Sequence, residues 1–476
     1  MKRITAILAV MLGLCLSAQA KLDPSNLISD GMVMQQNTEA RIWGTATPGA
    51  QITVTTSWNG ASYRTKADGA GCWNIYAKTP EASYKAYSMT IKGDGETIRI
   101  NDILIGEVWF ASGQSNMQMP MMGFYNCPVE NAAEYISAPA AKEKIRMFNV
   151  PAIQSYEPLT EVEGEWKGAE SETVPYMSAT AYFFARELNE VMDIPVGIIN
   201  CAYGGARIES WTPKEILETY PDEDLRRETI ESMIHYHRPY LAYNAMFNPT
   251  KGYTIKGFIW YQGETNVARY DTYAERFTTM VKHWREIWGQ GELPFYYVDI
   301  APYDYDQGHE DEKSPYLREA QFKAQSMIPN SFMVCTNDLV EPYERMNIHP
   351  RNKTQVGRRL SFAALNLTYG YKQFHIEHPQ YKSLRIEGNT AYVGFDHIGM
   401  GICRNYDIQG FEIAGENKVF YPAEQIRFQW ETNEFVLSSS KVLHPVAVRY
   451  CFHDFQIGTV IGGNELPAIP FRTDNW

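Results

Sequence analysis

Cysteine is scarce in this chain, with seven among 476 residues and none in the C-x-x-C spacing of a zinc or redox site. That count at this length excludes a small disulfide-stapled scaffold. Positive charge is also short. The 43 Lys and Arg are outweighed by 56 Asp and Glu, for a formal charge of −13, which argues against nucleic acid as a partner. After the first stretch, no segment offers the roughly eighteen uncharged apolar residues that a membrane-spanning helix needs. With 44% apolar residues the chain is not disordered either, and its length suits two or three domains with their own cores.

The N-terminus reads as an export signal, with a basic Met1-Lys2-Arg3, an apolar run from Ile4 to Ser17, and Ala18-Gln19-Ala20 as an A-x-A cleavage site. Cleavage after Ala20 leaves an exported, periplasmic or secreted protein, two charges more negative through loss of Lys2 and Arg3. Cys72, Cys127, Cys201, Cys335, Cys403 and Cys451 remain. In an oxidising compartment their wide spacing fits either one or two disulfides or free thiols. His235-Tyr-His237, His375-Ile-Glu-His378 and His349 lack a third ligand at metal spacing, so neither metal nor cofactor is predicted. The 31 Tyr and 11 Trp suit sugar-facing surfaces and β-rich cores alike.

Three rhythms divide the mature chain. Residues 21–101 alternate in short apolar runs broken by turns, as in Gln51-Ile-Thr-Val-Thr and Cys72-Trp-Asn-Ile-Tyr, and predict a β-sandwich region. Residues 102–370 alternate strands with amphipathic helices. Val108-Trp-Phe-Ala, Ile194 to Ile199, Gly257-Phe-Ile-Trp, Phe295-Tyr-Tyr-Val and Phe332-Met-Val-Cys suit strands buried on both faces. Ala181/Ala185/Leu188/Met192, Phe277/Val281/Trp284/Trp288 and Val356/Leu360/Ala363/Leu367 each fall on one helical face. The fold class is therefore α/β, a mostly parallel sheet between helix layers. Residues 371–476 return to β alternation, either as a separate sandwich or packed with the N-terminal one.

In open α/β sheets ligands bind beyond the carboxyl ends of the strands. Four such ends are polar here: Ser112-Gly-Gln-Ser-Asn-Met, Asn200-Cys-Ala-Tyr-Gly-Gly-Ala-Arg, Tyr261-Gln-Gly-Glu-Thr-Asn, and Thr336-Asn-Asp-Leu with Asn347-Ile-His-Pro beyond it. Those are the parts that acyl transfer requires. Ser115 needs a base to become a nucleophile, and His349 is the histidine placed to serve. A developing oxyanion needs waiting donors, for which the N–H groups of Ser115 and Gly205 and a side-chain amide such as Gln262 are the candidates.

Gly106-Glu-Val-Trp-Phe-Ala-Ser-Gly-Gln-Ser-Asn-Met, Trp260-Tyr-Gln-Gly-Glu-Thr-Asn and Ile348-His-Pro-Arg-Asn-Lys-Thr-Gln-Val-Gly-Arg-Arg-Leu resemble the motifs of sialate O-acetylesterases, a branch of the SGNH hydrolases. Asp30-Gly-Met-Val-Met-Gln-Gln, Trp43-Gly-Thr-Ala-Thr-Pro-Gly, Gly410-Phe-Glu-Ile-Ala-Gly and Leu466-Pro-Ala-Ile-Pro-Phe-Arg-Thr-Asp are similar to that family's β regions. The resemblance implies an SGNH-type, flavodoxin-like three-layer domain between β-sandwich regions, hydrolysing sugar O-acetyl esters without metal or cofactor. It further implies Ser115 as nucleophile, His349 as base, and Ser115, Gly205 and Gln262 at the oxyanion positions, with Asn266 as the alternate amide. Many SGNH enzymes carry Asp three residues before the histidine, where this chain has Met346, with Asn347 following. Asp338 is then the preferred orienter of His349, followed by Glu341 or a dyad assisted by a backbone carbonyl. Glu264 is taken as bracing its loop at the edge of the substrate site.

Two substrate classes follow. O-acetylated sialic acid carries a carboxylate, for which Arg207 and Arg351 are candidate partners. Acetylated xylan or another neutral plant glycan would instead stack on Tyr203, Trp211 and Tyr261. A non-catalytic carbohydrate-binding protein is the reading from another class.

Overall fold

The computed structural model describes residues 21–138, 144–305, 312–403 and 407–476. The export segment read at 1–20 lies outside them. A strand of 18 residues, Glu96–Gly113, organises the molecule. Its first half pairs antiparallel with Ser83–Gly93 in the N-terminal β region, and from Glu107 onward it pairs in parallel with Val196–Ala202 on one side. Gly257–Tyr261 joins it in parallel on the other side from Trp109. The junction near 101/102 thus falls inside one continuous strand, where Asp102 takes a φ of 53° and breaks the regular pleat.

Outward from this strand lie Gly257–Tyr261, Phe295–Val298 and Ser331–Val334 on one side, and Val196–Ala202 and Ile145–Asn149 on the other, all parallel. Trp166–Gly168 closes that edge antiparallel. Ile103 to Gly113 is buried without a break because helices cover both faces. Alternate residues separate cleanly: Trp109, Ala111, Ile259 and Tyr261 face helices Ala179–Met192 and Lys353–Ala363, whereas Phe110, Phe258 and Trp260 face Tyr270–Trp288 and Ser314–Met327. The expected three-layer α/β domain is therefore present. A fully buried side chain such as Trp284 contributes roughly 1.5–3 kcal/mol, and truncating it to Ala would cost about 3–5 kcal/mol.

The helices start and stop where local chemistry directs. Ser178 Oγ accepts from Ala181 N (3.1 Å), Asn352 Oδ1 accepts from Gln355 N (3.1 Å), and Gly289, at φ 74°, ends Tyr270–Trp288. The N-terminal β region shares its core with the second helix layer, while the C-terminal region forms two four-stranded sheets around a core of its own. It is a separate sandwich, docked on the α/β domain through polar contacts: Arg472 to Glu319 (3.0 Å), Ser314 N to Asp454 Oδ1 (3.1 Å), and His453 between Glu312 and Glu412. All six described cysteines are free; Cys201, Cys335 and Cys451 are buried and Cys72 is exposed. Among the described residues no helix is long and apolar enough to cross a membrane.

Candidate active site

The carboxyl ends of the central strands meet at Ser115. Gly113 brings the chain there at φ 137°, and a Cβ on it would lie 2.1 Å from Tyr261 O, so only glycine lets the two strand ends approach. Ser112 Oγ donates to Cys201 O (2.6 Å) and Gly263 N to Gln114 Oε1 (3.1 Å), joining three strand ends. Ser115 opens one helical turn, Ser115–Gln118, that is pinned from behind by Ser178 Oγ on Met117 O (2.6 Å) and Thr180 Oγ1 on Asn116 O (3.1 Å).

Ser115 Oγ and His349 Nε2 are 2.8 Å apart, although 234 residues separate them in sequence. The His349 loop is held by its own N–H on Asn347 Oδ1 (3.1 Å) and by the edge of Phe124, with ring centroids 5.2 Å apart. Burial, with help from the Lys353 charge, pulls His349 down to about 4. The ring is therefore neutral at pH 7 and ready to accept a proton.

The glycine loop completes the arrangement. Gly204 N donates to Gln118 Oε1 (2.8 Å), which ties this loop to the serine turn. Gly205 sits at φ 75°, where a Cβ would lie 2.4 Å from the Tyr236 ring. Among the described residues no acceptor takes the N–H of Ser115 or Gly205. Two unspent donors beside an activated serine are what a tetrahedral oxyanion requires.

Other sequence expectations are corrected. Asp338 lies at its strand end, but both its oxygens are held by Arg359 (2.7 and 2.6 Å), so it does not orient His349. Glu341 caps the turn Pro342–Glu344 instead, and among the described residues no carboxylate is hydrogen-bonded to the His349 ring. The geometry is a Ser-His dyad. Gln262 is fully buried, its amide nitrogen spent on Ala206 O (3.2 Å) and Asn266 Oδ1 (2.7 Å), and Asn266 Nδ2 goes to Glu209 (3.0 Å). Neither amide is an oxyanion donor in this arrangement; both brace the floor. Glu264 is buried against the Asn116 amide rather than open to substrate. Of the stacking candidates, Trp211 and Tyr261 are sealed in the core and only Tyr203 reaches the surface.

The two arginines differ. Arg351 is paired with Glu130 (2.8 Å). Arg207 is half-buried, its Nε has no hydrogen-bond partner, and no ion pair engages it among the described residues. Its charge reaches His237, whose imidazole is lowered to about 4 by burial and by Arg207. The His235-Tyr-His237 segment, set aside in the sequence as ordinary, thus forms a wall of the site through Tyr236. His378 is structural, accepting from Cys335 N (3.2 Å) and lying 2.9 Å from Pro467 O. Asn116 and Lys353 were missed, although both lie inside the motifs that carry Ser115 and His349.

Residues 105–366, more than half the chain, match the family described as carbohydrate esterase, sialic acid-specific acetylesterase. Human sialate O-acetylesterase is 28% identical over 422 residues, covering 82% of this chain and 79% of that protein. The mouse sialate O-acetylesterase is 27% identical over 514 residues, covering 94% and 93%. A crystal structure of a carbohydrate acetylesterase from Xanthomonas citri superposes with a TM-score of 0.83 at 32% identity, covering 95% of this chain and all of that one. A family match over more than half of the chain, and a structural likeness at 32% identity over 95% of it, lead to one conclusion: the chain belongs to the sialic acid-specific acetylesterase family of carbohydrate esterases.

Proposed function

We propose that this protein is a serine esterase that removes O-acetyl groups from sialic acids, with Ser115 as nucleophile and His349 as base. The observation that carries the reading is the 2.8 Å contact between Ser115 Oγ and a neutral His349 Nε2, beside the unspent N–H groups of Ser115 and Gly205. Ser115 Oγ attacks the acetyl carbonyl carbon while His349 Nε2 takes its proton. The carbonyl oxygen becomes an oxyanion held by the two N–H groups, each worth about 2.7–4 kcal/mol of barrier. Collapse breaks the bond to the sugar oxygen, which leaves with the proton from His349. Water, deprotonated by His349, then attacks the acetyl-Ser115 carbonyl, releases acetate and returns the proton to Ser115.

Arg207 supports the anionic substrate. A half-buried guanidinium that makes no hydrogen bond among the described residues, two residues past Gly205, is suited to a sugar carboxylate even with the Glu209 and Glu223 charges acting on it, whereas Arg351 is already ion-paired with Glu130. A neutral plant glycan finds less, because Trp211 and Tyr261 are not open to stacking. Acetate release from 9-O-acetylated sialic acid is expected to exceed release from acetylated xylan. Arg207→Gln should raise KM for the sialate about tenfold or more while barely altering p-nitrophenyl acetate turnover. Equal rates on the two glycans, or none on sialate, would overturn the substrate. Export is part of the same reading, and N-terminal sequencing of the mature protein should begin at Lys21.

A further inference from the structure

One side chain joins the nucleophile and the base from beneath. Asn116 directly follows Ser115, and its Nδ2 donates to Ile348 O (3.0 Å), the carbonyl directly before His349, and to Glu264 Oε1. Its Oδ1 accepts from Lys353 Nζ (2.6 Å). A single amide therefore clamps the serine turn to the histidine loop.

An asparagine amide has nearly the same shape either way round, so its neighbours decide which end faces Ile348. Reversed, Oδ1 would confront the Glu264 carboxylate and the Ile348 carbonyl, and Nδ2 would confront an ammonium. Lys353 makes the observed direction the satisfied one. It sits in the first turn of Lys353–Ala363, 1% exposed, and Asn116 is the one hydrogen-bond partner of its ammonium among the described residues. Nζ lies 5.6 Å from the Tyr261 ring centroid. The charged or titratable groups acting on it are Glu264, Glu344 and Cys127, and its own charge acts on His349. Glu264 Oε2 has no hydrogen-bond partner. A buried lysine with one hydrogen bond and an under-satisfied carboxylate is a costly way to fill a core.

We propose that Lys353 is a positioning residue for acyl transfer: by fixing the direction of the Asn116 amide it holds Ile348 O, and with it His349 Nε2, in register with Ser115 Oγ. The inference rests on the acyl-transfer reading of the site. Burial draws Lys353 down to about 7 while Glu264 and Glu344 hold it up, and the charge that remains helps keep His349 deprotonated.

Lys353→Met, Asn116→Ala and the double variant test it, with Ser115→Ala as control and near-UV circular dichroism as the check of folding. Lys353→Met should lower kcat for an acetyl ester about tenfold or more with KM nearly unchanged, because alignment rather than binding is lost. The acid limb of its kcat/KM profile should move up by about half a pH unit or more, since a nearby cation has gone. The double variant should be no worse than the worse single variant, because both cut one clamp. Wild-type kcat with an unmoved acid limb in folded Lys353→Met, or losses that multiply in the double variant, would overturn the proposal while leaving Ser115 as nucleophile. Turnover retained by Ser115→Ala overturns both. If Lys353→Met fails to fold, Asn116→Ala decides alone: kcat reduced at constant KM supports the clamp, and unchanged kcat refutes it.

Discussion

The pH dependence of acyl transfer follows from where His349 sits. Burial, together with the Lys353 charge, lowers its imidazole from 6.5 to about 4. A base of that kind is about 90% neutral at pH 5, whereas an ordinary imidazole is only about 3% neutral there. The kcat/KM profile reports the free enzyme's base. Between pH 7 and pH 5 the protein should therefore keep about nine-tenths of its kcat/KM, against about one twenty-fifth for an unshifted histidine. Acetate release from an O-acetylated sugar, followed from pH 3.5 to 8 at substrate well below KM, separates the two. Activity is expected to fall only as pH drops through about 4. An acid limb centred near 6.5 would refute the buried, cation-flanked environment assigned to His349.

Further outcomes follow from other parts of the structure. Gly205→Ala places a Cβ against Tyr236 in a left-handed conformation and displaces an oxyanion donor, so p-nitrophenyl acetate turnover should fall about a hundredfold or more. Asp338→Asn removes the partner of the buried Arg359 guanidinium. It should destabilise the fold by roughly 3 kcal/mol in urea titration yet leave kcat of the folded enzyme within about twofold. His453, held between Glu312 and Glu412, is raised to about 10 by those hydrogen bonds. Its contribution to stability is complete below the ordinary 6.5 and fades as pH rises through about 10, so Tm should decline over that window, and less so in His453→Gln.

Much of this was legible in the chain because burial on both faces writes itself as short apolar runs. The strands at Gly257–Tyr261 and Phe295–Val298, and the helix stripe ending at Trp288 before Gly289, were all visible that way. Helix Ser314–Met327 was not. Its inner face includes Arg318 and Gln321, and Gln321 is buried by bonding Ile300 N and Gln262 O rather than by being apolar. Hydrophobic periodicity does not register such a face. The Ser115 and His349 positions were legible because strand ends are where polar residues converge. Partner choice was not: Asp338 stands at the expected strand end, but Arg359, from the helix that follows, reaches it first. Gln262 and Asn266 supply the expected amides, yet only the fold reveals that Gln262 donates to Asn266 Oδ1 and Ala206 O, and Asn266 to Glu209. Asn116 was hidden by adjacency, since nothing in Ser-Asn-Met says that its amide turns back toward the histidine loop.

The central claim is that Ser115 becomes acetylated during turnover of a sugar O-acetyl ester. Rapid acid quench of the enzyme mixed with 9-O-acetylated sialic acid, followed by mass spectrometry of its peptides, measures this directly. The account predicts an acetyl group on the peptide carrying Ser115 within the first turnover, and neither adduct nor acetate release in Ser115→Ala. Sustained acetate release by Ser115→Ala, or an acetyl group on another residue, would contradict it.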